Sequence, residues 1–264
     1  SLKMLRAKGD VMVVTERRVE GWDEFLGLLD GSDATYTVGW IDATARGASL
    51  GRGILEEAET GGGLVRPAKR GKKVPFDAPG FTLSPPVVRT FNAAYWRRVP
   101  SAGRTVVKPI HDFFFPLDKI QDWNKLYGKR GFHQFQCVVP IAAADTLRQM
   151  LERIVGSGRA SPLAVLKRMG PGRAGYMSFP MEGYTLAVDF PHSDVAQRLI
   201  RGLVDQAAEA GGRIYFAKDS LTSPDHVPKM YPEWDAWREA VNEADPDAAF
   251  ATDLVRRLKL RDAR

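Results

Sequence analysis

Lys218 stands beside Asp219 in the run Gly211-Gly212-Arg213-Ile214-Tyr215-Phe216-Ala217-Lys218-Asp219-Ser220. The glycine pair reads as a helix stop and the apolar residues after it as a short strand, so the lysine falls where the strand leaves the core. An ammonium group there loses solvation unless an anion or a carbonyl oxygen meets it. The other reading is a lysine that reaches past the strand end into water. Phe132 to Val139 alternates, with His133, Phe135, Cys137 and Val139 facing one way and Gln134 and Gln136 the other. Two adjacent carboxamides can bond hydroxyls, or simply face solvent. The strand Leu163 to Met169 sets Lys167 and Met169 on one side with Val165. Tyr184 to Phe190 sets Thr185, Ala187 and Asp189 opposite its bulky apolar residues. If the registers agree, Gln134, Gln136, Lys167, Thr185 and Lys218 share one face, and such convergence makes a site rather than a wetted surface. A slip of one residue undoes it.

These strands must be held by helices. Leu147, Met150, Leu151, Ile154 and Val155 form a helical stripe that stops at Gly156. A second stripe, Val195, Leu199, Ile200, Leu203 and Val204, follows Ser193 as N-cap and ends at Gly211-Gly212. The order strand, helix, strand, strand, helix, strand is that of a split βαβ unit. The expected class is α+β, a largely antiparallel β-sheet with helices packed on one face.

The first half begins the same way. Val11 to Thr15 reads as a strand, Trp22, Phe25, Leu26 and Leu29 as a short helix closed by Asp30-Gly31, and Thr35 to Asp42 as a strand with Tyr36, Val38 and Trp40 on one face. Residues from about 59 to 86 read as a long irregular connection. It carries Gly61-Gly62-Gly63, the basic residues Arg66, Lys69, Arg70, Lys72 and Lys73, and then Pro75, Pro79, Pro85 and Pro86. It suits a phosphate or an anionic membrane, or is a solvated loop. Phe91, Tyr95, Trp96, Phe113, Phe114, Phe115 and Trp123 make an aromatic-rich stretch, either core or ligand box. A short helix through Trp123 and Tyr127 to Gly128 follows it. In the tail, Met230-Tyr231-Pro232 opens a helix whose Trp234 and Trp237 form a packing face, and Asp253 caps a last turn with Arg256-Arg257. The division expected is a main domain over 1–227 and a helical tail over 228–264.

Composition narrows the classes. With 44% hydrophobic and 27% charged residues in 264, this is an ordinary globular chain with room for a sizeable core. No apolar run approaches the length of a membrane span and no signal peptide opens the sequence, which places the chain in the cytoplasm or peripheral to the inner membrane. The net charge of +6 suits acidic ligands. Nucleic acid is a poor fit, because no aromatic residue is interleaved with the basic run. Cys137 cannot form an internal disulfide and reads as a buried, inert thiol. The four histidines lack metal-ligand spacing, so no metal is expected. The abrupt start at Ser1, without a methionine, reads as the middle of a longer protein.

The run Gly131 to Pro140, Val188-Asp189-Phe190-Pro191, the decapeptide Gly211 to Ser220, Met230-Tyr231-Pro232 and the tail from Asp245-Pro246 to Leu258 resemble the C-terminal part of the decaprenylphosphoryl-β-D-ribose 2-oxidase family. These are FAD-dependent enzymes of the vanillyl-alcohol-oxidase-like superfamily. Tyr36-Thr37-Val38-Gly39-Trp40 and Phe115-Pro116-Leu117-Asp118 with Trp123 extend the likeness over nearly the whole chain. The resemblance implies the substrate domain of a two-part enzyme, with a tail that packs on an N-terminal FAD-binding domain absent here. Isolated, such a chain would bind flavin weakly or not at all. The implied reaction passes hydride from a sugar C2 carbon to flavin N5, leaving a 2-keto sugar, on a sugar or polyprenyl-phosphate sugar substrate. A partner reductase would complete the epimerisation. Lys218 is the implied catalytic residue and, with Tyr215, the implied flavin neighbour. Gln134, Gln136 and Lys167 match polar pocket positions, and Trp40, Leu117 and Trp123 match apolar walls. Phe114 stands where relatives carry tyrosine, Met169 where they carry phenylalanine, Thr185 asparagine and Ala187 cysteine, which opens the identity of the substrate. An alditol or aldonolactone oxidase, and a stand-alone sugar-phosphate binding module without flavin, are the alternatives.

Overall fold

The structure, a computed structural model, describes residues 9–62, 71–172 and 175–261. Their packing falls into two compact units, residues 9–132 with 161–163, and residues 133–160 with 164–261. The tail expected from residue 228 lies within the second of these.

The first unit opens on β1 (Val11–Val19), α1 (Trp22–Asp30) and β2 (Tyr36–Ile41), as the alternation and the apolar spacing require. Then come β3 (Gly53–Gly61), the two-residue β4 (Lys72–Lys73), α2 (Pro85–Arg97), β5 (Arg104–Pro109), α3 (Ile110–Phe114) and the two-residue β6 (Ile120–Gln121). Four strands form an antiparallel layer in the order β2-β3-β1-β5. Neither β3 nor β5 shows an apolar alternation, because charge pairs across strands hold them. Glu16 of β1 lies opposite both Glu56 and Arg104 in register. It is wholly buried, and accepts from Arg104 Nε at 2.6 Å and Lys108 Nζ at 2.9 Å, while Lys108 also bonds Glu56 at 2.9 Å. Two opposed carboxylates would repel without that bridge. Burial raises the Glu16 pKa, but the bonds from Lys108 and Arg104 and the charges of Lys108 and Arg98 outweigh it, bringing it to about 2.

The stretch from 59 to 86 is more regular than its composition suggests. β3 runs into it, β4 pairs in parallel with β6, a 3-10 turn spans Gly80–Leu83, and α2 starts at Pro85. Paired prolines disguise this helix start, where their missing N–H groups cost nothing. Its buried side is Val88, Asn92 and Trp96. Arg66, Lys69 and Arg70 lie outside the described residues. Aromatic residues divide between core and surface: Trp96 packs with Ile54 and Val99, Phe113 packs against Met12 and Val14, and Phe91 stays half exposed.

The second unit carries β7 (Phe132–Val139), α4 (Ala144–Ser157), β8 (Ala164–Met169), β9 (Gly183–Pro191), α5 (Asp194–Glu209) and β10 (Arg213–Ile214), then α6 (Val227–Met230), α7 (Trp234–Ala244) and α8 (Asp253–Leu258). Strand order β10-β7-β9-β8 is that of the expected split βαβ unit. The α4 stripe is buried as read, and α4 runs to Ser157 with Gly158 as its left-handed cap. Ser193 caps α5 by accepting from Ala196 N. Val195 is exposed and Ala196 takes its place in the core. A Cβ on Gly183 would come within 1.9 Å of the Val139 carbonyl, so only glycine lets β9 approach there. Trp234 and Trp237 pack on Val227, Leu258 and Leu260, a packing face as expected, and Thr252 rather than Asp253 caps α8. Among the described residues no helix is long and apolar enough to cross a membrane.

Candidate functional site

The polar face of the second unit forms in the anticipated register. Phe135, Cys137, Val139, Tyr184, Leu186, Val188 and Phe190 turn into the core, which leaves the intervening side chains on the other side of the sheet. Gln134 Nε2 donates to Asp189 Oδ1 at 3.0 Å, and Gln136 Nε2 donates to Thr185 Oγ1 at 3.2 Å. Thr185 lies opposite Lys167, and Ala187 opposite Val165. Met169 lies opposite Gly183, half buried at the strand end. Thr185 and Asp189 are each only 3% exposed, Gln134 and Gln136 are half-buried, and Lys167 is exposed, so the face is built at its base and open to solvent at Lys167.

Lys218 stands near enough for its charge to act on Lys167. Crowding around the Lys167 ammonium, and then the charge of Lys218, hold the Lys167 pKa below the usual lysine value. Neither lysine pairs with a carboxylate among the described residues. Two cations that act on each other and form no ion pair offer a place for an anion.

Lys218 does not end a strand. β10 stops at Ile214, and Phe216–Lys218 form a 3-10 turn. Tyr215 N still donates to Gln136 O at 2.9 Å, and Lys218 N donates to Tyr215 O at 3.0 Å. The turn wins because Asp219 fastens it. Asp219 Oδ1 accepts from Leu221 N, Thr222 N and Thr222 Oγ1, while Oδ2 accepts from Arg257 Nη2 at 2.6 Å. Arg257 Nη1 also donates to Thr222 O at 2.7 Å. On the far side, Ser220 Oγ and His133 Nδ1 share a hydrogen bond of 2.9 Å, and His133 stacks on His192 at 4.8 Å. Burial, then His192 and Arg201, push the His133 pKa down. No local pattern marks Asp219, Arg257 or His133 as neighbours of this turn. The Lys-Asp pair and Arg256-Arg257 stand out in the sequence, but nothing there shows that α8 reaches the turn. Tyr215 packs its ring on Phe179 at 4.8 Å.

The apolar residues expected to line a pocket, Trp40, Phe114, Leu117 and Trp123, belong to the first unit. Trp40 donates from Nε1 to Pro162 O at 2.8 Å and meets Tyr95 edge-on at 4.7 Å. Phe114 is 43% exposed and touches Tyr36 edge-on at 5.1 Å. Leu117 is half buried in a 3-10 turn, and Trp123 lies against Phe132 at 5.3 Å. A polar groove of 770 Å³ between α4 and α5 contains none of these residues and is crossed by Arg153, which bonds Gly202 O and Gln206 Oε1. Cys137 is buried, and burial pushes its thiol up to about 12. Among the described residues no cluster of three or more His, Cys, Asp or Glu side chains is placed to hold a metal.

No protein-family model matches the chain. Decaprenylphosphoryl-β-D-ribose oxidase of Mycolicibacterium smegmatis is 35% identical over 243 residues, 88% of this chain and 53% of that protein. An uncharacterized protein in the mprA 5′ region of Streptomyces coelicolor is 27% identical over 279 residues, 98% of this chain and 76% of that one. In three dimensions the chain is similar to xylooligosaccharide oxidase from Myceliophthora thermophila in complex with xylobiose, with a TM-score of 0.56 and 13% identity, covering 98% of this chain and 56% of that one. It is also similar to Acremonium strictum glucooligosaccharide oxidase, with a TM-score of 0.53 and 8% identity, covering 94% of this chain and 55% of that one. The chain therefore spans about half the length of the oxidases it matches. By sequence it is a relative of decaprenylphosphoryl-β-D-ribose oxidase, and by fold a neighbour of oligosaccharide oxidases.

Proposed function

We propose that the chain is the substrate-binding portion of an FAD-dependent oxidoreductase that oxidises a secondary alcohol of a sugar, with a polyprenyl-phosphate pentose as the substrate class. The observation that carries this is the face holding Lys167 and Lys218, neither of them in an ion pair among the described residues, flanked by the half-buried pairs Gln134–Asp189 and Gln136–Thr185. The similarity to the Mycolicibacterium oxidase supports it. A cationic pair beside buried hydrogen-bonding groups fits both a phosphate or alkoxide and the electron-rich edge of a flavin.

FAD, when bound, supplies the two-electron acceptor. The chain's own groups bind and orient. Lys218 would stand at the ring and the reacting oxygen, with Tyr215 beside it, and its ammonium would stabilise negative charge as the hydroxyl proton leaves. Lys167 would neutralise the anionic part of the substrate, and Gln134 and Gln136 would accept or donate to sugar hydroxyls. The tail over 228–264 would pack on the flavin-binding part.

The test joins the chain to an upstream flavin-binding half and follows bleaching of the flavin. We expect bleaching with a polyprenyl-phosphate sugar and a loss of about 100-fold or more in Lys218→Ala. Activity on soluble alditols alone would move the reading to an alditol or aldonolactone oxidase. An unchanged rate in Lys218→Ala, or no bleaching by any polyol, refutes it.

A further inference from the structure

We propose that residues 72–91 form a docking surface for an anionic lipid bilayer, with Phe76, Phe81, Val87 and Phe91 entering the headgroup layer and the surrounding lysines and arginines meeting lipid phosphates. Four large apolar side chains stand open to water within sixteen residues: Phe76 at 67%, Phe81 at 69%, Val87 at 42% and Phe91 at 50% exposure. Eight of the thirteen exposed large apolar residues among those described fall between 76 and 126. Exposure on this scale in one segment marks an interaction surface.

The local fold explains why these groups stay outside. α2 already seats Val88, Asn92 and Trp96 in the core, so Val87 and Phe91, one helical turn apart, form a second apolar row that the core does not use. Phe91 stacks on Tyr95 at 5.9 Å, which stiffens that row. Phe76 and Phe81 sit in a proline-punctuated approach anchored by Val74 N to Gln121 O at 3.0 Å and Ala78 N to Lys125 O at 2.8 Å. Their backbone is held while their rings are not.

Charge selects the occupant. Residues 72–91 hold three cations, Lys72, Lys73 and Arg89, against one acid, Asp77, a net charge of +2 in a chain of +6. Lys72, Lys73 and Arg89 are exposed. The core of a protein–protein interface is depleted of lysine, whereas a surface helix with aromatic anchors among basic residues suits anionic lipid. The surface stands on its own observations and does not depend on the oxidoreductase reading.

The experiment is flotation of the purified chain with phosphatidylcholine vesicles, with and without phosphatidylglycerol. We expect retention on the anionic vesicles that falls as salt is raised. The double variant Phe81→Ser/Phe91→Ser, and separately Arg89→Glu, should each weaken it about tenfold with unchanged circular dichroism. Phe250→Ser, at an exposed phenylalanine elsewhere, should change nothing. Equal binding of wild type and the double phenylalanine variant, or no retention on anionic vesicles, overturns the proposal. Loss of vesicle binding when the chain is joined to an upstream flavin-binding half also overturns it, because the surface would then be a protein contact.

Discussion

Single groups on the polar face behave as their neighbours dictate. Because crowding and Lys218 both disfavour a second positive charge, Lys167 loses its proton at lower pH than a free lysine. Lys218→Ala should therefore move the Lys167 pKa up, read by NMR of labelled lysine side chains. Inorganic phosphate should bind the wild-type face more weakly as pH rises through the lowered Lys167 value. Cys137 makes the opposite case: its thiol, pushed up to about 12 by burial, should resist alkylation at pH 8 in the native chain and react at once in denaturant. A thiol that labels rapidly in native buffer would contradict its placement. Of the positions where the resemblance implies a different residue, Thr185 accepts from Gln136, whereas nothing in the structure accounts for Met169 or Ala187.

At the scale of elements, two ionic devices hold backbone that propensity alone would not. The Asp219–Arg257 pair ties α8 to the turn that carries Lys218, and the Asp219 side chain is only 4% exposed. Arg257→Gln should destabilise the second unit by about 3 kcal/mol, since it strands a buried carboxylate, measured by urea unfolding. The Glu16 cluster ties β1 to β5 and, through Glu56, to β3. Its folded pKa of about 2 lies below the ordinary 4.5, so its stabilisation is complete above that ordinary value and is lost as pH falls toward 2. Glu16→Gln should flatten this acid limb of the stability curve and cost about 3 kcal/mol at neutral pH. An unaltered acid limb in the variant would show that other carboxylates carry it. Legibility at this scale followed the source of stabilisation. α4, α5, β7 and β9 were readable because burial repeats at their natural period. β3 (Gly53–Gly61) was not, because Glu56, Glu57 and Glu59 look like loop until their partners on other segments are known.

For the molecule as a whole, the chain corresponds to about half of the oxidases it resembles. If it is the substrate-binding portion, the purified chain should be colourless and should take up FAD only when the upstream half is supplied, as followed by flavin absorbance and fluorescence quenching. Tight, stoichiometric flavin binding by the chain alone would contradict that division of labour. The basic, aromatic-studded segment from 72 to 91 belongs to this scale too, since its apolar groups have no role in the unit that carries them.

Alternation and helical periodicity by themselves determined the split βαβ order, its buried faces and the shared face of Gln134, Gln136, Lys167 and Thr185, because a strand exposes every second side chain whatever surrounds it. Only the tertiary structure decided where Lys218 stands. A strand reading carried it to a strand end, but the bonds that set its backbone come from Asp219, from Arg257 thirty-eight residues on, and from His133 eighty-seven residues back through Ser220. Contacts over such separations leave no local pattern. The chemistry of the lysine was legible, and its position was not.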